Sequence, residues 1–409
     1  MRSALLLAAC LALPCPAQPG RYRADPIPAF STSGLRIAYA LTPDGRAAGT
    51  QTVRSYIQNG HVFRIDAGFV FVGREAVPVL PVADGLTTSV RALSPSGLLV
   101  GSASDGTATR AAWLSTAAAP VFLPLPSGPS SAQGVNDAGT VVGTMTLADG
   151  RRRAFLWSQA QGLRDPLPPD ATLATAFAIN AAGEVVGEFT PASGGPKRAF
   201  TLRPGQELAS DLNAALPPDS PWSLEQGWGV SDAGIIACNG TLAGAARASL
   251  IRPEDPRTPV ELAPVGGFPA TIVYGLNTRG DAVGLSLVSL AFGARRPTLW
   301  RDGEAIDLTD RVINAIPGTI WNSVTAVNDA GQILAQWITP AGQNMLVRLT
   351  PLCDADLSGD GLLGPVDVEL FLQRFDGEGI DFDGDGFGDF FDLMAFFDAY
   401  EGRTGCPAP

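Results

Sequence analysis

Residues 134–143, Gly134-Val135-Asn136-Asp137-Ala138-Gly139-Thr140-Val141-Val142-Gly143, carry the pattern that decides the fold. A small residue and an aliphatic one lead into Asn-x-x-Gly, and an apolar run leaves it toward another small residue. Asn and Asp side chains hydrogen-bond their own backbone in turns, and glycine adopts positive φ without a Cβ clash, so the stretch reads as a hairpin. The same pattern, with Asn, Ser or Thr in the third place, recurs at 40–45, 92–97, 178–183, 229–234, 275–280 and 326–331, which makes seven copies. Their turn glycines stand 42 to 52 residues apart. No sustained helical periodicity lies between them, so the period predicts a four-stranded propeller blade.

Each copy supplies the remaining strands. A third strand follows the hairpin at 153–157, 198–202 and 296–300, and a fourth follows a polar turn at 162–167. The seventh copy stops after its third strand, at 345–349. At the other end, Asp25-Pro26-Ile27-Pro28 matches Asp165-Pro166-Leu167-Pro168 of a fourth strand. The expected fold is therefore all-β: a seven-bladed β-propeller over residues 18–350, closed by an N-terminal strand that removes the exposed sheet edges, followed by a small α-helical domain at 353–409.

Composition agrees with this division. The 409 residues include 47 Gly and 34 Pro, high for a helical protein, and only 4 Met. Arg2, an apolar run from Ala4 to Leu13 and small residues before Gln18 predict a signal peptide over 1–17, hence export. Leu7-Ala8-Ala9-Cys10 alternatively reads as a lipoprotein box acylated at Cys10. No other stretch has the length and apolarity of a membrane span. The charge is localised: residues 353–409 hold 11 Asp and 3 Glu against Arg374 and Arg403, a balance of −12 that equals that of the whole chain. Residues 1–352 are formally neutral, which leaves no basic excess for nucleic acid.

The repeats resemble the HAF family of extracellular repeats, whose His-Ala-Phe element stands here as Arg-Ala-Phe at 153–155 and 198–200. Histidine is replaced in both. The resemblance implies an extracellular β-propeller and no particular activity.

The acidic tail is more specific. Asp356, Ser358, Asp360, Leu362 and Asp367 fall at positions 1, 3, 5, 7 and 12 of one twelve-residue loop. Asp381, Asp383, Asp385, Phe387, Asp389 and Asp392 fall at positions 1, 3, 5, 7, 9 and 12 of a second, 25 residues on. Side-chain oxygens at these positions, a backbone carbonyl at position 7 and a glycine turn at position 6 suit calcium, so two Ca2+ sites are expected. Asp rather than Glu at position 12, and loop-then-helix order, resemble a type I dockerin. That resemblance implies docking onto a cohesin-like domain or another cell-surface partner. Cysteine-flanked variants of the module further imply a Cys353–Cys406 bridge. Leu370, Phe371, Phe375, Phe391, Met394, Phe397 and Tyr400 exceed what two short helices bury against each other, and the surplus is expected to form the docking face.

Other residues have plainer readings. His61, the lone histidine, reads as a surface residue, Arg151-Arg152-Arg153 as a hairpin edge, and Cys238 as a buried free thiol in a slot filled by Gly143 and Gly187 elsewhere. Two functions from different classes remain. One is a secreted non-catalytic binding protein attached through a calcium-loaded tail while the propeller presents a neutral ligand surface. The other is a secreted polysaccharide-degrading glycoside hydrolase or lyase, which requires paired carboxylates at the propeller mouth.

Overall fold

The computed structural model describes residues 21–400 apart from 30–35, 59–60, 74, 80–86, 105–107, 169–170, 290–292, 354, 359–363, 379, 381 and 383–387. The expected signal peptide and Cys10 lie outside the described residues. The chain divides into two compact units, one of residues 24–310 and 315–350, the other built mainly from 351–409 with 1–23 and 311–314.

The first unit is a β-propeller-type array of antiparallel sheets. Among the described residues, five sheets have four strands each and a sixth has eight. The eight-stranded sheet is two four-stranded groups, joined by one parallel pair between Arg152 and Leu173. Each copy of the sequence motif makes the turn between the first and second strands of its group. In the copy at 134–139, Asn136 Oδ1 accepts from Thr140 N at 3.1 Å, Gly139 N donates to Asn136 O at 3.0 Å, and Gly139 has φ of 73°. The side chain fastens the turn and the glycine supplies its left-handed step.

Small residues let the first strands converge. A Cβ on Gly275 would meet Ala326 Cα and Thr325 O of the next copy, both at 2.9 Å, which is backbone that cannot yield. The Ala or Gly that opens each motif is thus a requirement of close strand approach.

The Arg-Ala-Phe element has a physical basis. Ala154, Phe155, Ala199 and Phe200 are all fully buried between neighbouring sheets, where each phenyl contributes about 1.5–3 kcal/mol. The arginine reaches from the third strand to an acidic residue on or after the fourth: Arg153 to Asp165 at 2.6 Å, Arg198 to Asp211 at 2.8 Å and Arg296 to Asp307 at 3.6 Å. Arg153 corrects the reading of 151–153 as a hairpin edge. Arg151 and Arg152 are exposed, but Arg153 is buried and its guanidinium also donates to the carbonyls of Leu167, Pro168 and Ala171. A buried guanidinium needs such a full set of acceptors.

The last sheet has the strand order Tyr22–Pro26, Asn344–Pro351, Ile333–Ile338, Ile320–Val327. Its fourth strand thus comes from the N-terminal side of the first copy. Thr350 Oγ1 donates to Asp25 Oδ2 at 3.0 Å, and Ile27 N donates to Leu346 O at 2.9 Å.

The second unit contains helices α1 (Pro365–Glu378) and α2 (Phe390–Tyr400). Pro365 suits the first helical position because its missing N–H has no helical partner there anyway. The core joins Cys353, Ala355, Phe371, Phe396 and Ala399, with Leu357, Phe375, Phe382 and Tyr400 packed against them.

Candidate functional site

The first strand of every group carries a β-bulge two residues before its aliphatic turn residue. A bulge leaves one residue unpaired and re-aims its side chain. The unpaired residues are Tyr39, Arg91, Gln133, Phe177, Trp228, Tyr274 and Thr325. All seven line one cavity of about 810 Å3. Every one is half-buried. Each stands immediately before the small residue that opens its motif, so aligning the copies exposes one variable position beside invariantly small ones; that signal was present in the sequence and was missed.

The lining is chemically uneven. Phe177 and Trp228 face each other at 4.9 Å between centroids, and Trp228 meets Tyr274 edge-on at 6.0 Å. Trp228 Nε1 donates to Tyr274 O at 3.0 Å, which fixes the indole within this arc. Burial pushes the Tyr274 phenol up, against the opposing pull of Arg295. Three copies from Trp228, the Arg91 guanidinium lies over Tyr39 at 4.5 Å from the ring centroid. Arg91 Nε and Thr325 Oγ1 are buried and without a hydrogen-bond partner among the described residues. The described lining includes Arg91 and Arg295 but no Asp, Glu, His or Cys. The described lining of this cavity is therefore cationic, although the body as a whole is formally neutral.

At one end of the cavity the motif turns form a belt. Asn136 Nδ2 donates to Asn180 O at 3.1 Å, and Asn180 Nδ2 to Ser231 O at 2.9 Å. Asn277 Nδ2 donates to Asn328 O at 3.2 Å, and Asn328 Nδ2 to Thr42 O at 3.0 Å, from the last copy to the first. Where a copy has Ser, the hydroxyl fastens its own turn, as Ser94 does for Leu98 N and Ser231 for Ile235 N. Asp137, Asp232 and Asp329 accept from the backbone N–H of Ser96, Ala181 and Thr278 in the preceding copy. Hydrogen bonding from the Ser94 side chain and the Ser96 backbone holds the Asp137 carboxyl below its ordinary value. A smaller cavity of about 200 Å3 lies among these turns. It shares Leu41, Val135, Ile179, Val230, Leu276 and Val327 with the larger one, so an aliphatic collar stands between them.

In the second unit, Asp356, Ser358, Asp367, Asp389 and Asp392 are described; Asp360, Leu362, Asp381, Asp383, Asp385 and Phe387 lie outside the described residues. The two position-12 carboxylates behave alike. Asp367 Oδ2 accepts from Gly364 N at 2.9 Å and Oδ1 from Ser358 N at 2.8 Å. Asp392 Oδ2 accepts from Asp389 N at 2.6 Å and Oδ1 from Phe382 N. One oxygen closes the helix N-terminus as in a capping box, while the other ties back to the start of the loop. Asp389 Oδ1 completes the box on α2 by accepting from Phe391 N at 2.8 Å. Asp356, Asp367 and Asp392 are at most 2% exposed, and Ser358 Oγ donates to Asp356 Oδ1 at 3.2 Å. Among the described residues, no group of three or more His, Cys, Asp or Glu converges.

The apolar residues of the helices separate into core and surface. Phe371 is fully buried and stacked on Phe396, so it has no face left for a partner and is a core residue. Phe375 and Tyr400 pack against the same cluster, and Leu370 is half-buried. Phe391, Met394 and Phe397 are exposed, as are Val366, Leu372 and Phe390, which the expected docking face did not include.

Cys353 is disulfide-bonded and its partner is not among the described residues; Cys406 lies outside them. Cys238 is free and fully buried, opposite Gly227, and burial pushes its thiol up to about 12. His61 begins the strand His61–Val72, and its side chain is outside the described residues.

No protein-family model and no curated protein matches the chain. Among solved structures, the chain is similar to a puromycin hydrolase at 16% identity and TM-score 0.45, over 82% of this chain and 52% of that one. It is similar to a puromycin-hydrolyzing peptidase from Mycobacterium tuberculosis at 12% identity and TM-score 0.41, over 75% of this chain and 58% of that one. It is also similar to a putative TolB from Agrobacterium tumefaciens at 13% identity and TM-score 0.40, over 57% and 82%. The chain thus spans about half of the puromycin hydrolase it resembles.

Proposed function

We propose that the chain is a secreted, non-catalytic binding protein in two parts. The first is a seven-bladed β-propeller closed by the strand Tyr22–Pro26, whose channel presents the ligand surface. The second is a dockerin-like module that docks onto a cohesin-like or cell-surface partner when it holds two calcium ions. The observation that carries this reading is the internal symmetry of the module: Asp367 and Asp392, 25 residues apart, each start one helix by accepting from the equivalent backbone N–H of Gly364 and Asp389, and each close one loop by accepting from a backbone N–H near its start, Ser358 at position 3 and Phe382 at position 2. Buried carboxylates with a hydroxyl at position 3 form a hard oxygen donor set, the chemistry that calcium selects. Asp356, Ser358, Asp360 and Asp367 would hold one ion, and Asp381, Asp383, Asp385, Asp389 and Asp392 the other, with the backbone carbonyls of Leu362 and Phe387. The exposed Phe391, Met394 and Phe397 then supply an apolar face. Glycoside hydrolysis needs a carboxylate pair; the described lining of the larger cavity has no carboxylate, and Asp137, Asp232 and Asp329 of the smaller one each accept from a backbone N–H of the preceding copy.

The test uses the full-length protein and a bacterial cohesin domain as probe. Capture is expected in millimolar calcium and not in chelator, and Asp381→Ala with Asp385→Ala should abolish it. Phe391→Ala with Met394→Ala should remove capture while leaving calcium uptake intact. Equal capture with and without calcium would overturn the reading.

A further inference from the structure

The propeller's channel has the ingredients of a small-molecule site rather than of a packing defect. Its volume of about 810 Å3 falls within the range of ligand pockets, which combine apolar walls with a few convergent polar groups. The walls come from seven bulges at one register, and the side chains they present are far from uniform. A bulge costs ladder hydrogen bonds and leaves its residue unpaired. Filling a channel for stability alone would favour aliphatic side chains, such as those of the collar below. This ring instead holds three aromatics, an arginine, a glutamine and a threonine besides Tyr39.

The arrangement of these groups specifies the ligand. Phe177, Trp228 and Tyr274 form a continuous aromatic arc over three consecutive copies. Arg91 stands three copies away from Trp228, on the far side of a seven-membered ring, and its Nε is buried with no partner among the described residues. A buried donor left unsatisfied keeps its desolvation cost, which a ligand acceptor would recover. Thr325 Oγ1 is a second such group, next to the arc on the Tyr274 side. Arg295 adds a further positive charge near Tyr274. With two guanidinium groups and no acid in the described lining, an anion is favoured and a cation disfavoured. Arginine pairs with carboxylate through a fork of two parallel N–H bonds.

We propose that this channel binds a ring-bearing carboxylate, its ring against the aromatic arc of Phe177, Trp228 and Tyr274 and its carboxylate on Arg91. The inference rests on reading the propeller as the ligand-binding part of the protein. Sugar uronates and arylcarboxylates share this chemistry, since both join a ring with an apolar face to one carboxylate.

The experiment is calorimetric titration of the full-length protein with trigalacturonate and, separately, with 2-naphthoate, each beside its methyl ester. At least one acid should bind, and its ester should bind about tenfold or more weakly. Trigalacturonate binding alone identifies a sugar site, and naphthoate binding alone an aromatic-acid site. Arg91→Gln should remove the preference for acid over ester, whereas Arg152→Gln, an exposed arginine on another strand, should leave it unchanged. Trp228→Ala should weaken binding of the acid about tenfold or more, and Trp228→Phe should retain most of it, which guards against a variant that fails to fold. The proposal is overturned if neither acid binds, if acid and ester bind equally, or if Arg91→Gln keeps the preference. Titrating in calcium and in chelator separates this failure from the other: cohesin capture with no acid binding sinks the channel site alone, and acid binding without capture sinks the docking reading alone.

Discussion

Phe371 and Phe396, 25 residues apart in a duplicated loop-and-helix, stack on each other with centroids 4.1 Å apart and planes 15° apart. They occupy equivalent positions of the two repeats, so the duplication meets itself at the centre of its own core. Both are fully buried, and the next layer repeats the correspondence: Leu357 with Phe382, Val368 with Leu393, Phe375 with Tyr400. Small domains have little core to spare. Phe371→Ala or Phe396→Ala is expected to cost about 3–5 kcal/mol and to unfold the module in the full chain. Phe391→Ala, on the 65% exposed residue nearby, should stay within about 0.5 kcal/mol. Hydrogen exchange over α1 and α2 separates the two outcomes. Equal protection in both variants would mean that the stack is not the core.

Cys238 tests burial in the first unit. Its thiol is fully buried and pushed up to about 12 by desolvation, so the nucleophilic thiolate is absent from the folded protein at neutral pH. Thiol-directed reagents should leave Cys238 unmodified in the native chain and modify it completely in denaturant. Stoichiometric labelling at pH 8 without unfolding would contradict its placement.

Asn328 tests the belt. Its side-chain N–H group donates to Thr42 O and Gln332 Oε1, and its Oδ1 accepts from Gln332 N, so it joins the last copy to the first. Asn328→Ala removes contacts both within and between copies and leaves buried backbone unsatisfied, for a cost of about 2–3 kcal/mol. Asn328→Ser should keep the turn and lose only the link between copies, as Ser231 does naturally. Its melting temperature should fall between those of the parent and the alanine variant. A serine variant no better than alanine would show that the turn, not the link, matters.

What could be read from the residues divides along these lines. The hairpin turns were legible because Asn-x-x-Gly states its own backbone geometry: Asn136 fastens the turn and Gly139 supplies the left-handed step within six residues. The bulges were not, because a bulge is a relation between two strands, and Tyr39 or Trp228 looks like any strand aromatic until its partner's register is known. Arg153 was misread for a related reason. Three consecutive arginines suggest a solvated edge, but strand alternation turns the third one inward, toward Asp165 and three carbonyls. Phe371 was assigned to a surface because two helices considered alone cannot bury so many aromatics; the loops bring Leu357 and Phe382 against it and Phe396, while Phe391, Met394 and Phe397 stay exposed.

The last prediction concerns Asp281, which binds the turn of the sixth copy to its third strand. Its Oδ2 accepts from Asn277 Nδ2 at 2.8 Å, Arg279 Nη2 at 3.0 Å and Arg301 Nη2 at 3.2 Å, and its Oδ1 accepts from Arg301 Nε at 3.2 Å. Asn277 in turn donates to Asn328, so the carboxylate supports the belt. Burial alone raises the carboxyl, but the hydrogen bonds and charge of Arg301, with Asn277 and Arg279, outweigh it and hold the group below its ordinary 3.8. A folded-state value below the unfolded one means that the unfolded chain binds protons more readily in this range. The contribution of Asp281 is therefore complete above the unfolded value and is lost as pH falls below 3.8 through the lower folded value. Asp281→Asn removes the charge and turns an amide toward the arginines, at a cost of about 3 kcal/mol at pH 7. The stability gap between parent and variant should be constant from pH 7 to about 5 and should narrow steadily below pH 4. Chemical denaturation at stepped pH measures that gap. A difference that is the same at pH 7 and pH 3 would leave Asp281 with a packing role and no electrostatic one.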